Sequence, residues 1–169
     1  QLQDFVGFAP SFNQAIAQAT RACTGAELAS LQCNQQEVVG IKSLFSGSIF
    51  LSDAANQQTF LEEAGQYRII HLATHACAGE EDMALNKIHF SDDFISNQDL
   101  HNLQLQAELA VLSACNTGSG KLVRGEGIMS LSRGFILAGC PSTLMSLWSV
   151  DDCTTSDLMH HIYRGLRQG

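Results

Sequence analysis

Two stretches of this chain are apolar with almost no alternation: Tyr67-Arg68-Ile69-Ile70-His71-Leu72-Ala73 and Leu109-Ala110-Val111-Leu112-Ser113-Ala114. A strand with one wet face alternates polar and apolar residues, whereas a strand covered on both faces does not. Both stretches therefore read as fully covered strands. Ser142 to Trp148 reads as a third strand and Ser48 to Leu51 as a short one after Gly47. Between them the period changes. Asn13 to Cys23 is Ala-rich and helix-like. Gln35 to Phe45 places Val38, Val39, Ile41 and Leu44 at helical spacing, and Ala55 to Ala64 returns to helix with Phe60 and Leu61 apolar. Ile128 to Ala138 is a helix entered from the Gly-rich residues 118–127. Asp152 to Leu166 closes as a helix with Leu158, Ile162 and Leu166 at i, i+4 and i+8. Leu85 to Phe90 and Phe94-Ile95 flank a polar hairpin turn, Ser91-Asp92-Asp93, and Ser96 is the expected N-cap of a short helix to Leu103.

Covered strands separated by helices predict an α/β fold: a mostly parallel sheet flanked by helices on both faces. There is no long linker, internal repeat or low-complexity segment. The 169 residues are expected to form a single domain, 1–169.

Composition narrows the function. Hydrophobic residues make up 45% of the chain and charged ones 15%, which suits a packed domain rather than a disordered tail. The net charge is −8 and the nine Lys and Arg residues are scattered, so a nucleic-acid surface is not expected. No apolar run approaches the roughly 18 residues of a membrane span. Gln1-Leu2-Gln3-Asp4 is no signal peptide, and the missing initial Met suggests a fragment of a longer protein. The six cysteines, 23, 33, 77, 115, 140 and 153, form no CxxC pair, and several lie in apolar runs. Most of them read as small core residues, and the chain as one of a reducing, cytoplasmic compartment with neither a disulfide framework nor a zinc ribbon.

Two strands run out beside reactive residues. The first leads into Ala73-Thr74-His75-Ala76, the second into Ala114-Cys115-Asn116. In open parallel sheets chemistry gathers beyond the carboxyl ends of strands. If these strands are parallel neighbours, His75 and Cys115 share that edge. The stretch between them is ample for a crossover. A thiol is weakly ionised at neutral pH, with a free pKa of about 8.5. An adjacent imidazole can take its proton, the thiolate can attack a carbonyl, and nearby backbone N–H groups can hold the oxyanion.

The motifs HLATHA at 71–76 and LSACNTG at 112–118 resemble the CHAT family, relatives of caspases and separase. FAPS at 8–11, the run 37–64, GEGIMSLSRGFILAG at 125–139, LMSLWSVDD at 144–152 and IYRGLRQG at 162–169 are similar to further family segments in the same order. The resemblance implies a caspase-like three-layer sandwich and a Cys115–His75 dyad. It implies an oxyanion hole from the backbone N–H groups of Ala76 and Cys115, and cysteine endopeptidase activity on protein substrates without cofactor or metal. It also implies helical repeats N-terminal to this segment, a regulatory partner protein, and a chain lacking the family's first strand and last helix. Two residues depart from the family pattern: Ala76 where Gly often follows the His, and Asn116 where Glu often follows the Cys. They leave room for an alternative, a catalytically weak scaffold or binding module. Another thiol enzyme, such as an acyltransferase, is a second alternative.

The other candidates have simpler readings. Gly118-Ser119-Gly120-Lys121 lacks the upstream Gly and the following Ser or Thr of a phosphate loop. His71 is expected to be a buried, hydrogen-bonded residue. His160 and His161 are expected at the helix surface without a third metal ligand. Cys77 is an alternative thiol, expected to follow a loop. Glu126 suits a helix N-terminus, and Trp148 a core or pocket wall. The stretches Cys77–Met83 and Asn116–Gly127 read as mobile loops around the dyad. Of Asp151 and Asp152, one is expected to cap the last helix and the other to line the pocket for the residue before the scissile bond, favouring Arg or Lys there.

Overall fold

The computed structural model describes residues 1–12, 28, 30–77, 86–115, 126–146 and 151–168, with the backbone alone at 115 and 126–130. The proposed helix from Asn13 to Cys23, residues Gly118 to Lys121, Trp148 and nearly all of both proposed mobile loops lie outside these residues.

Among the described residues seven strands form one mixed sheet. Strands β1 (Gln3–Ala9), β2 (Gly47–Leu51), β3 (Tyr67–Cys77), β6 (Leu109–Cys115) and β7 (Ser142–Met145) run parallel in the order β2-β1-β3-β6-β7. Strands β4 (Lys87–His89) and β5 (Phe94–Ser96) form an antiparallel hairpin that pairs with the end of β3. Pairing with β1 stops at Leu72, and the hairpin joins β3 at Ala76. The α/β class and the mostly parallel, caspase-like sandwich are as expected.

Each parallel strand feeds two cores. Val6, Phe8, Ile70, Leu72, Ala110 and Leu112 enter one, with Phe60 of α2 (Gln57–Glu63), Leu100 of α3 (Asn97–His101) and Phe135 of α4 (Glu126–Leu137). Phe5 and Val111 enter the other, with Ile41 of α1 (Asn34–Lys42) and Met159 and Tyr163 of α5 (Asp152–Gln168). Consecutive residues point to opposite faces of a strand, so an unbroken apolar run supplies both layers. In the first core Phe8, Phe60 and Phe90 pack with ring centroids 5.1–6.2 Å apart. Truncating one such ring to Ala typically costs about 3–5 kcal/mol.

Strand β1 starts well before the FAPS segment at 8–11 that resembles a family strand entry, and Phe5, Val6, Phe8 and Ala9 are all buried within it. Gly7 and Asp4 interrupt the run in sequence. A Cβ at Gly7 would lie 2.6 Å from Val38 Cγ1, so the glycine lets α1 approach the sheet. Gly47 has φ +142° and a Cβ there would meet the Phe5 carbonyl oxygen, so the start of β2 needs glycine. Ser96 caps α3 through a full capping box with Asp99.

The last helix packs differently from expectation. Its buried stripe is Thr155, Met159 and Tyr163, while Leu158 and Leu166 are about half exposed. Ile162 is partly buried against the second core. The helix is turned so that Tyr163 reaches a polar group inside the protein, described below. Among the described residues no helix is long and apolar enough to cross a membrane.

Candidate active site

The carboxyl ends of β1, β3, β6 and β7 define one edge of the sheet. Along it, β3 and β6 are in register from Ile69↔Leu109 through to His75↔Cys115. The two residues are therefore paired neighbours in a parallel ladder. The strands do not run out before them, however. Cys115 is the last residue of β6, and β3 continues through His75 and Ala76 to Cys77. The β4–β5 hairpin supplies the ladder partners for that extension, opposing Ala76 to Ile88 and Cys77 to Lys87. Cys77 thus ends a strand rather than following a loop.

His75 is buried, with its ring centroid 4.8 Å from that of Phe12. Ala76 is half-buried. His89 is the residue after Ile88 in β4, so continuing the antiparallel register brings it level with His75. His89 is buried, its Nε2 lies 3.2 Å from Cys77 Sγ, and its carbonyl accepts a 2.6 Å hydrogen bond from Thr74 Oγ1. Burial pushes the His89 pKa down to about 4, helped by the charges of His75 and Lys87. At neutral pH it is a neutral imidazole. His89 gave no signal in the sequence, because its place depends on a hairpin pairing with a distant strand.

The surroundings fix this edge. Asn34, at the start of α1, donates through Nδ2 to the carbonyls of Pro10 (2.8 Å) and Ala73 (3.2 Å). Ser146 Oγ, just beyond β7, donates to the Ala114 carbonyl at 3.1 Å. Each holds the backbone one or two residues before His75 or Cys115. Deeper in the same layer, His71 is fully buried, as expected. Its Nε2 meets Glu37 Oε1 at 2.8 Å and its Nδ1 meets Tyr163 OH at 2.9 Å. Burial, and then the Glu37 charge, raise the Tyr163 pKa well above its ordinary value, so the phenol keeps its proton. His161 is exposed, with Nδ1 2.8 Å from the Asp157 carbonyl, and His160 is half-buried, with Nε2 3.1 Å from the Glu37 carbonyl.

Asp151 is the cap of α5, its Oδ1 accepting from Thr154 N and Oγ1 at 2.8 Å each. These bonds lower its pKa. Asp152 is also engaged: its Oδ2 accepts from the backbone N–H groups of Gln32 and Cys33, both at 2.7 Å.

The cysteines correct the expectation of a reduced chain without disulfides. Cys33 and Cys153 form a disulfide across 120 residues of sequence, with Cα atoms 5.1 Å apart. Cys77 is disulfide-bonded as well. Cys140 is a free, buried thiol whose pKa burial raises. Neither member of the Cys33–Cys153 pair lies in an apolar run. Their closeness comes from the packing of α1 beside α5, which sequence spacing does not encode. Cys33, Asp152 and Cys153 also bring three metal-type ligand atoms within 4.8 Å, but here the two sulfurs are bonded to each other.

Two curated relatives, Tetratricopeptide repeat protein 28 of Mus musculus and of Homo sapiens, are each 34% identical to this chain over 71 residues. The match covers 42% of the chain but only 3% of each relative's length. Over residues 4–169 the chain matches the CHAT domain, whose fold is a caspase-like peptidase scaffold. With its order of elements and its sheet architecture, the chain belongs to the CHAT domain family.

Proposed function

We propose that this domain is a cysteine endopeptidase acting on protein substrates, with Cys115 as nucleophile and His75 as general base. The observation that carries the reading is the pairing of His75 with Cys115 at the carboxyl edge of two adjacent parallel strands. His75 takes the Cys115 proton, and the thiolate attacks the scissile carbonyl. The backbone N–H groups of Ala76 and Cys115 stabilise the oxyanion. The C–N bond then breaks, His75 protonates the leaving amine, and a thioester remains on Cys115. Water activated by His75 hydrolyses it. Asp151 and Asp152, at the start of α5 near this edge, bias the pocket for the residue before the scissile bond towards Arg or Lys. No cofactor or metal enters these steps.

The tetratricopeptide repeats named in the relatives support helical repeats, or a partner protein, as the regulator of the domain, which on this reading works in the cytoplasm. The test is treatment with an electrophilic peptide followed by mapping of the adduct. Stoichiometric addition at Cys115, lost in His75→Ala at neutral pH, is the expected result. A Cys115 left unmodified in the oxidised and the reduced protein alike would overturn the assignment.

One observation favours a second reading, a catalytically weak scaffold. Ala76 lies in the ladder opposite Ile88, so the residue after His75 is extended backbone rather than part of an open turn. In a scaffold Cys115 would react with the peptide no faster than an ordinary surface thiol.

A further inference from the structure

We propose that Cys33–Cys153 is a reversible thiol–disulfide site, opened by a dithiol reductant, that controls the order of the catalytic edge. The bond joins the N-cap residue of α1 to the second residue of α5. Neither cysteine is buried, so a reductant can reach the bond. A disulfide in a cytoplasmic protein is usually transient or redox-sensing rather than a permanent staple. The cytoplasmic setting, the reversibility argued from it and the effect on Cys115 rest on the proposed function; the bond and its accessibility do not.

The connection to the site is short. Asn34 follows Cys33 and donates to the Ala73 carbonyl, two residues before His75. The same amide donates to Pro10, at the end of β1. Any shift of the α1 N-terminus therefore moves the anchor of the strand that carries His75. Asp152 holds the same junction from the other side, through Gln32 N and Cys33 N. Farther along, Glu37 of α1 and Tyr163 of α5 both bond to His71. That second junction holds the helices together at mid-length. Opening the disulfide therefore releases their N-termini without separating the layer from the sheet.

The chemistry balances with a dithiol. A reductant thiolate attacks one sulfur, the S–S bond breaks, and a mixed disulfide forms. The second reductant thiol displaces the remaining protein thiol. Two electrons and two protons pass to Cys33 and Cys153, and the reductant leaves as its own disulfide. The product places two thiols beside the Asp152 carboxylate. With the S–S bond gone, the α1 and α5 N-termini keep only the hydrogen bonds of Asp152 to Gln32 N and Cys33 N at this junction, which loosens it. The oxidised form is the ordered state of the edge, and reduction relaxes it.

The test is a dithiothreitol titration followed by alkylation and mass mapping, with amide hydrogen exchange on parallel samples. Without reductant, Cys33 and Cys153 should resist alkylation. They should become labelled together in a single transition. Exchange at residues 30–37 and 71–77 should speed up at least tenfold on reduction. A Cys33→Ser/Cys153→Ser variant should show the fast exchange with or without dithiothreitol, which separates this bond from the one at Cys77. Reactivity of Cys115 towards the electrophilic peptide should fall about tenfold in the reduced protein and in the variant. Alkylation of both cysteines without reductant would overturn the proposal, as would unchanged exchange at 71–77 on reduction of the unaltered chain. If exchange responds as expected while Cys115 is inert in every state, the redox site stands and the peptidase reading fails.

Discussion

His75 and Cys115 are ladder partners in adjacent parallel strands. Parallel strands lie about 4.8 Å apart, so the backbone sets the distance between the two positions before any loop is considered. Cys115→Ala should abolish peptide cleavage and adduct formation while shifting the thermal midpoint by no more than a few degrees. His75→Ala should lower cleavage at neutral pH by about 10²–10⁴-fold, the usual worth of a positioned general base. Slow alkylation of Cys115 should return in that variant as pH approaches about 8.5, where a thiol ionises unaided. Cleavage by Cys115→Ala at the unaltered rate would end the nucleophile assignment.

The neutral imidazole of His89 makes stability depend on pH. Its pKa is about 4 in the folded chain, against about 6.5 for an ordinary histidine. Above pH 6.5 neither state binds the proton. Between 6.5 and 4 the unfolded chain binds it and the folded chain does not, so stability falls as pH falls through that window. Below 4 the loss is complete, at about 3 kcal/mol. Urea unfolding of the parent chain and of His89→Gln at pH 7.5 and pH 4.5 should show a smaller loss in the variant. Equal losses would mean that His89 is not held neutral.

The contact of Glu37 and Tyr163 through His71 is a buried polar chain with every partner in place. Tyr163→Phe deletes one hydroxyl and leaves His71 Nδ1 buried without it, at a cost of about 1–3 kcal/mol. Combined with Glu37→Gln, the two losses should not add, because both act through one imidazole. Urea midpoints for the two single variants and the double variant test this; strict additivity would mean that the contacts are independent.

Asp151 and Asp152 separate capping from recognition. Asp151→Ala removes the cap of α5 and should cost about 1 kcal/mol. Asp152→Ala removes the acceptor for Gln32 N and Cys33 N. A positional-scanning peptide library run on both variants reads specificity independently of stability. A basic preference in the parent chain that weakens in either variant supports the pocket role. A preference for Leu, Met or Asp that neither variant changes leaves both carboxylates as purely structural groups.

Much of the fold was legible because its period is written locally. The runs 67–73 and 109–114 lie on two faces at once, and only a covered strand requires that. Ser96 and Asp99 spell a cap within four residues. The start of strand β1 was hidden because Gly7 is small for the sake of α1, a tertiary reason that reads locally as an interruption. The stripe of α5 was misassigned because Leu158, Ile162 and Leu166 are the more hydrophobic set, yet the helix turns Tyr163 inward to meet His71. His75 and Cys115 were legible as candidates from their place beside apolar strands. His89, Asn34 and the Cys33–Cys153 pair were not, since each depends on elements far apart in sequence.

The ladder between β3 and β6 has a digital property. Side chains alternate with a period of two, so sliding one strand past the other by a single residue would set the 75 and 115 positions on opposite faces. No intermediate register exists in which the dyad is partly aligned. The sheet can therefore be intact or broken but cannot be tuned. Graded control of this domain has to act on what borders the edge: the helix N-termini, the Asn34 anchor on Ala73 and the Ser146 anchor on Ala114.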